Sequence, residues 1–386
     1  MAERHSNDIR PERVGGSYVE ERSILLPILV GIVAIVAAIG YAGYYVYTTA
    51  EMFNPYRKTY DRLGIDLPRS FEKFGLASRY LDQVNREPCD NVAFFALAKL
   101  MASAGYPRES AKSLEVYNRG CTFSEEMLQF AYTNYIRIGD HQAAIDVANE
   151  LVKFDPASYD YRFMRGSAYE NARDYKAALA DYISTLDLFP DLSDVDGSQF
   201  YQVSTMYDKL GKPCDAIGPL ETFISYNVKE RQTQQIARLI SDYSRKGNCA
   251  ATYANGFARV IIPPSNLVDV MINGSRARMV IDTGATLVSL TPEMAARARI
   301  TPDASHLIEV KVVGGLQKQA TGYAQTLQVA EATAANVPVL IAIGSKDAFG
   351  QGVDGLLGMS FLSRYTVALS PGLLELKPRN RSLGPQ

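Results

Sequence analysis

From Ile24 to Ala50 the chain runs for 27 residues without a charged side chain, and no other stretch restricts the possible folds as strongly. At about 1.5 Å per residue a helix of that length reaches about 40 Å, against roughly 30 Å of bilayer hydrocarbon. Inside hydrocarbon a lone segment satisfies its backbone only as a helix. Tyr41, Tyr44, Tyr45 and Tyr47 crowd the C-terminal end, where an interfacial aromatic belt would sit. The segment reads as an uncleaved single-span anchor. A cleaved signal peptide is the alternative, although its apolar core usually runs only about 7–15 residues. Residues 1–23 are polar and charged and read as a flexible tail.

Arg4, Arg10, Arg13 and Arg22 precede the span, and Arg57, Lys58 and Arg62 follow it, so the positive-inside bias is weak. Cys89, Cys121, Cys214 and Cys249 form an even set without a Cys-x-x-Cys or a neighbouring histidine, which speaks against a metal site. Pairing neighbours in sequence, Cys89 with Cys121 and Cys214 with Cys249, suits an oxidising compartment; four free thiols in a cytosolic body is the other reading. The expectation is a single-pass protein of the inner (cell) membrane with a short cytoplasmic tail and a periplasmic or otherwise extracytoplasmic body.

Residues 51–248 read as helix after helix, with an internal repeat. Tyr135, Ala144 and Pro156 recur 34 residues later as Tyr169, Ala178 and Pro190. A weaker copy follows with Tyr207, Gly211 and Ala216, offset by 38 residues at Tyr207 and Ala216, which puts a four-residue insertion in Asp191–Gly197. Another weak copy precedes, with Gly105-Tyr106 and Ala111. The period and residue types resemble tetratricopeptide repeats, in which a small residue lets two helices pack closely and a proline ends the second. Three to four such pairs stack into a short solenoid, serving either as a protein-binding module or as a spacer.

Ser244–Ala258 reads as a linker, and residues 249–386 switch to short β runs. Leu267–Ile272 and Ala277–Ile281 lie either side of Asn273-Gly274, a hairpin turn. The hairpin places Asp282 at the end of its second strand. An acid between two apolar runs is costly unless its charge is used or hydrogen-bonded. Thr291-Pro292 opens a short helix, and Ser370-Pro371-Gly372 turns a last hairpin.

Asp282-Thr283-Gly284, followed by an alternating stretch from Ile308 to Thr326 broken at Gly314-Gly315, and then by Leu356-Leu357-Gly358, resembles a bacterial membrane-anchored retropepsin-like aspartic protease. The architecture expected is multidomain: one transmembrane helix, an all-α TPR-like solenoid and an all-β retropepsin-like domain. The resemblance makes Asp282 the acid-base group, Thr283 a hydroxyl bracing the loop, and Gly284 the residue that lets backbone N–H groups approach the carboxylate. It makes Gly314 and Gly315 the tip of a flap over a peptide substrate. Two carboxylates sharing one proton are needed, and one Asp-Thr-Gly is present, so the resemblance implies a homodimer. No cofactor or metal is expected.

Other readings fall away on chemistry. Asp354 lacks the Thr between Asp and Gly and reads as a turn residue. Gly350-x-Gly352-x-x-Gly355 has dinucleotide-loop spacing, but no βαβ unit surrounds it. The histidines, His5, His141 and His306, are too scattered for a zinc site, and His306 reads as a loop residue before a strand. A net charge of −2 gives no footprint for nucleic acid. Two functions remain open: an endopeptidase whose repeats recruit substrate or partner, and a non-catalytic membrane scaffold. Self-cleavage in the linker is a third.

Overall fold

The computed structural model describes residues 25–49, 54–249, 253–312, 315–344 and 348–379. Two compact units divide the chain, residues 1–60 and 61–386. In the first, α1 (Leu25–Thr49) contains a stretch, Pro27–Val46, long and apolar enough to cross a membrane. The large apolar side chains described in this stretch are exposed; Ile39, for example, is 67% exposed.

After α2 (Arg57–Leu63), the helical part of the second unit runs through α3 (Arg69–Glu72), α4 (Ala77–Arg86), α5 (Asn91–Ser103), α6 (Pro107–Gly120), α7 (Glu125–Arg137), α8 (His141–Phe154), α9 (Tyr159–Asn171) and α10 (Tyr175–Leu188). It continues through α11 (Gly197–Lys209), α12 (Pro213–Tyr226), α13 (Val228–Arg231) and α14 (Gln234–Gly247). The repeats are the TPR-like pairs α5–α6, α7–α8, α9–α10 and α11–α12. Ala111, Ala144, Ala178 and Ala216 are all fully buried, as close helix crossings require. Asp140 caps α8 through Ala143 N, and Asp174 caps α10 through Ala177 N. The insertion is real: eight residues separate α10 from α11, where four separate α8 from α9. Disulfides join Cys89 to Cys121 across the α5–α6 pair and Cys214 of α12 to Cys249 beyond α14.

The β part comprises β1 (Ala258–Ile261), β2 (Leu267–Ile272), β3 (Ser275–Ile281), β4 (Val288–Leu290), β5 (Asp303–Val312), β6 (Gly315–Val329), β7 (Ala332–Ala342), β8 (Gly355–Leu357), β9 (Tyr365–Ser370) and β10 (Leu373–Pro378), with short helices α15 (Pro292–Arg297) and α16 (Met359–Leu362). Seven strands run in the order β2-β3-β8-β4-β7-β6-β5, and the long β6 also pairs with β2, closing a barrel. β1, β10 and β9 form a separate three-stranded sheet. Asn273 and Gly274 take positive φ in the β2–β3 turn, and the Asn273 side chain bonds Ala298 O and Thr326 N. Thr291 caps α15 through Met294 N. His306 lies within β5 rather than before it, because the strand begins at Asp303.

The segment read as a linker is fastened. Cys249 is disulfide-bonded and buried, and buried Tyr253 donates to Glu221 Oε2 at 3.0 Å. Arg364 stacks on Tyr253 at 4.3 Å and donates to the carbonyls of Tyr253, Ala335, Asn336 and Ser360. A buried guanidinium bound to carbonyls acts here as a four-way brace. Replacing Arg364 by Met strands those carbonyls, two of the bonds being buried and two partly so, and is expected to cost about 3 kcal/mol. Urea unfolding of the full-length chain measures it; a loss below about 1 kcal/mol would remove that role.

Repeats and barrel share a core. One apolar cluster combines Ala180, Ile183 and Leu186 of α10 and Tyr207 of α11 with Leu287, Ile308, Val310 and Leu340 of the β part. Around it, Arg162, 3% exposed, pairs with Glu309 of β5, and Ser184 Oγ accepts from Glu309 N at 3.0 Å. Tyr323 of β6 donates to Asp215 of α12 at 2.9 Å. The β5–β6 hairpin is thus held by repeat helices at Ile308–Val310 and at Tyr323.

Candidate active site

β3 delivers Asp282 to a tight loop that returns as β4. The backbone on both flanks is fixed: Ile281 N donates to Asn266 O at 3.0 Å, and Asp282 N to Leu357 O at 3.1 Å. The half-buried Asp282 carboxylate turns back into the loop, where its Oδ1 accepts from Gly284 N at 2.8 Å and Ala285 N at 3.2 Å. Two N–H donors fix that oxygen in place. They leave Oδ2 for other work. A Cβ on Gly284 would lie 3.2 Å from that Oδ1, which explains the small residue two places after the acid.

β8 threads beside this loop. Leu357 pairs with Ile281 in parallel register, and Met359 N donates to Ala285 O at 2.8 Å. Leu356-Leu357-Gly358 therefore buttresses the acid-bearing loop from beneath. Ser360 Oγ adds a link by accepting from Val288 N at 2.9 Å and donating to Pro338 O at 2.8 Å.

Thr283 is exposed, and its contact within the chain runs through its carbonyl, which accepts from the Tyr226 hydroxyl at 2.9 Å. Among the described residues its own hydroxyl has no hydrogen-bond partner. Gly315 opens β6 with φ +130, paired with Val312; Gly314 lies outside the described residues. The structure brings Asp282, Thr283 and Gly284 together. Asp354 stands apart, accepting from Arg278 N at 2.9 Å and pairing with Arg297 at 2.5 Å.

Two residues of the repeats reach this loop, and the sequence reading passed over both. Tyr226 ends α12. Asp187, in the last turn of α10, accepts from Thr286 N at 3.1 Å through its Oδ1. It keeps some accessible surface, yet enclosure by protein raises its carboxyl to about 6, helped by the negative charge of Asp282 and opposed by the hydrogen bond from Thr286 N. Burial pushes the Tyr226 phenol up to about 12, with Asp191, Asp282 and Asp187 adding to the rise. A signal was present: Leu186-Asp187-Leu188-Phe189 is an acid amid apolar residues, the same criterion that singled out Asp282.

The barrel and its acid-bearing loop have a retropepsin-like fold, beside TPR-like helices. Residues 268–361 match the family model described as aspartyl protease. Among solved structures, the chain is similar to a retropepsin-like aspartic protease from Rickettsia conorii, at 22% identity and a TM-score of 0.26, over 32% of this chain and 99% of that one. It is also similar to MamA, at 18% identity and a TM-score of 0.35, over 42% of this chain and 92% of that one. A third likeness is to YrrB, described as a TPR protein with an unusual peptide-binding site, at 13% identity and a TM-score of 0.35, over 53% of this chain and 97% of that one. No curated protein matches the chain.

Proposed function

We propose that this chain is a membrane-anchored aspartic endopeptidase that cleaves peptide bonds in protein substrates with a carboxylate pair formed across a homodimer. One observation carries the reading: Asp282 is presented at a strand end with one oxygen held by Gly284 and Ala285 N–H groups and the other without a hydrogen bond among the described residues. In the pair, the charged member takes a proton from water as that water attacks the scissile carbonyl. The neutral member donates to the carbonyl oxygen. Held about 3 Å apart, two carboxylates cannot both ionise, so they share a proton and titrate as one unit.

The homodimer follows from the count of acids. Each chain supplies one Asp282, and a two-fold axis supplies the second. The exposed Thr283 hydroxyl remains free to meet the partner's loop, and Gly314-Gly315 would close over substrate from each side. Anchoring through α1 confines copies to a plane and raises their effective concentration. The two disulfides suit a periplasmic or otherwise extracytoplasmic body. The repeats would recruit or position substrate, and their shared core with β5 ties that task to the site.

Mixing tests the pairing. Titrating full-length Asp282→Asn chains into the parent in detergent micelles is expected to lower activity per parent chain by about half at equal amounts, because random pairing leaves half of the parent chains with an inactive mate. A peptide library assayed from pH 4 to 7 supplies the readout. Activity per parent chain that stays constant on mixing would overturn the shared site. Absence of cleavage at concentrations where sedimentation shows dimers would favour the scaffold.

A further inference from the structure

The repeat helices approach the Asp282 loop at two points. Tyr226 of α12 binds Thr283 O, and Asp187 of α10 binds Thr286 N. These bonds flank Gly284 and Ala285, the residues whose N–H groups hold the carboxylate. Leu287, next in sequence, is buried in the apolar cluster that contains Ile183 and Leu186 of α10. α10 is fixed in turn to the β5–β6 hairpin through Ser184 and Glu309. A shift of α10 or α12 therefore moves the main chain on either side of Asp282.

We propose that Asp187 and Tyr226 are positioning residues of the peptidase site: they hold the Asp282 loop from the repeat side. The proposal rests on the aspartic peptidase reading and makes repeats and barrel one catalytic unit. It gives the repeats a task that neither a spacer nor a separate recruiting module would have.

The titratable groups facing Asp187 are Asp282 on the loop and the Tyr226 phenol on α12; Asp191, beyond α10, and Arg231 of α13 act on that phenol. Asp187 sits near 6 through burial and the charge of Asp282.

The test uses the full-length chain in detergent micelles with a fluorogenic peptide chosen from those the parent cuts. Asp187→Ala and Tyr226→Phe are expected to lower kcat about tenfold with KM within about twofold, the signature of a reacting group held out of place. Asp187→Asn can still accept from Thr286 N. It should keep most of kcat, because the loop needs the acceptor that Asn also provides. Hydrogen exchange supplies a readout independent of cleavage: the Thr283–Thr286 amides should exchange at least about tenfold faster in Asp187→Ala. Faster cleavage in either truncation, showing that the repeats block the loop, would overturn the proposal. So would a loss of kcat in Asp187→Asn as large as that in Asp187→Ala, or unchanged exchange in Asp187→Ala. Cleavage that survives Asp282→Asn would instead sink the peptidase reading, and the exchange data would still decide whether the loop is braced.

Discussion

Asp282→Asn in the full-length chain is expected to reduce kcat/KM for any peptide the parent cuts by at least about a thousandfold, with the melting temperature within a few degrees of the parent. Positioned acid-base groups contribute about 10² to 10⁴ each. In a homodimer the substitution removes both acids at once, and groups acting as a unit fail together. The fold should survive, because the amide oxygen of Asn can still accept from Gly284 N and Ala285 N as Asp282 Oδ1 does. An amide cannot take a proton from water at working pH, so the loss falls on chemistry rather than on loop geometry. Equal cleavage by parent and variant would end the aspartic mechanism. A variant that fails to fold would show that the carboxylate charge serves the loop itself.

What was legible in the sequence was local. The Asn273-Gly274 turn, the Thr291 cap and the Ser370-Pro371-Gly372 hairpin each depend on a few adjacent residues whose preferences are strong. The 34-residue period was legible because each copy repeats the same helix contact, with Ala144 and Ala178 in equivalent crossings. The acid-bearing loop announced itself through an ordered set of short motifs. Contacts between repeats and barrel had no such trace. Arg162 and Glu309 are 147 residues apart, and Asp187 and Thr286 are 99 apart. A helix pattern records that a face is buried and not which partner buries it. For the same reason Ser244–Ala258, rich in small residues, read as a linker, although Tyr253 and Cys249 pin it to the folded unit.

Gly358→Ala is expected to be a severely damaging single-methyl change in the β part. Gly358 has φ −92, a backbone open to any residue, so the demand for glycine is one of space. A Cβ there would stand 2.3 Å from Leu287 O, 2.6 Å from Leu287 C and 2.9 Å from Ala285 O. All three atoms belong to the main chain of the Asp282 loop and its return into β4, so no side-chain rotation relieves the clash. Relief would need β8 and the loop to part, breaking Asp282 N to Leu357 O and Met359 N to Ala285 O. Overpacking in a tight core costs about 1–3 kcal/mol when side chains can adjust; against rigid backbone, with two hydrogen bonds lost, about 4 kcal/mol or more is expected, a large part of a typical domain's stability. Gly120→Ala is the matched control. A Cβ at Gly120 meets nothing within 4 Å, and the change should stay within about 0.5 kcal/mol of neutral or stabilise slightly. Urea unfolding of both full-length variants separates them. If Gly358→Ala matched the control, the close approach of loop and β8 would be wrong, and with it the reason a glycine follows Leu356-Leu357 beneath the acid.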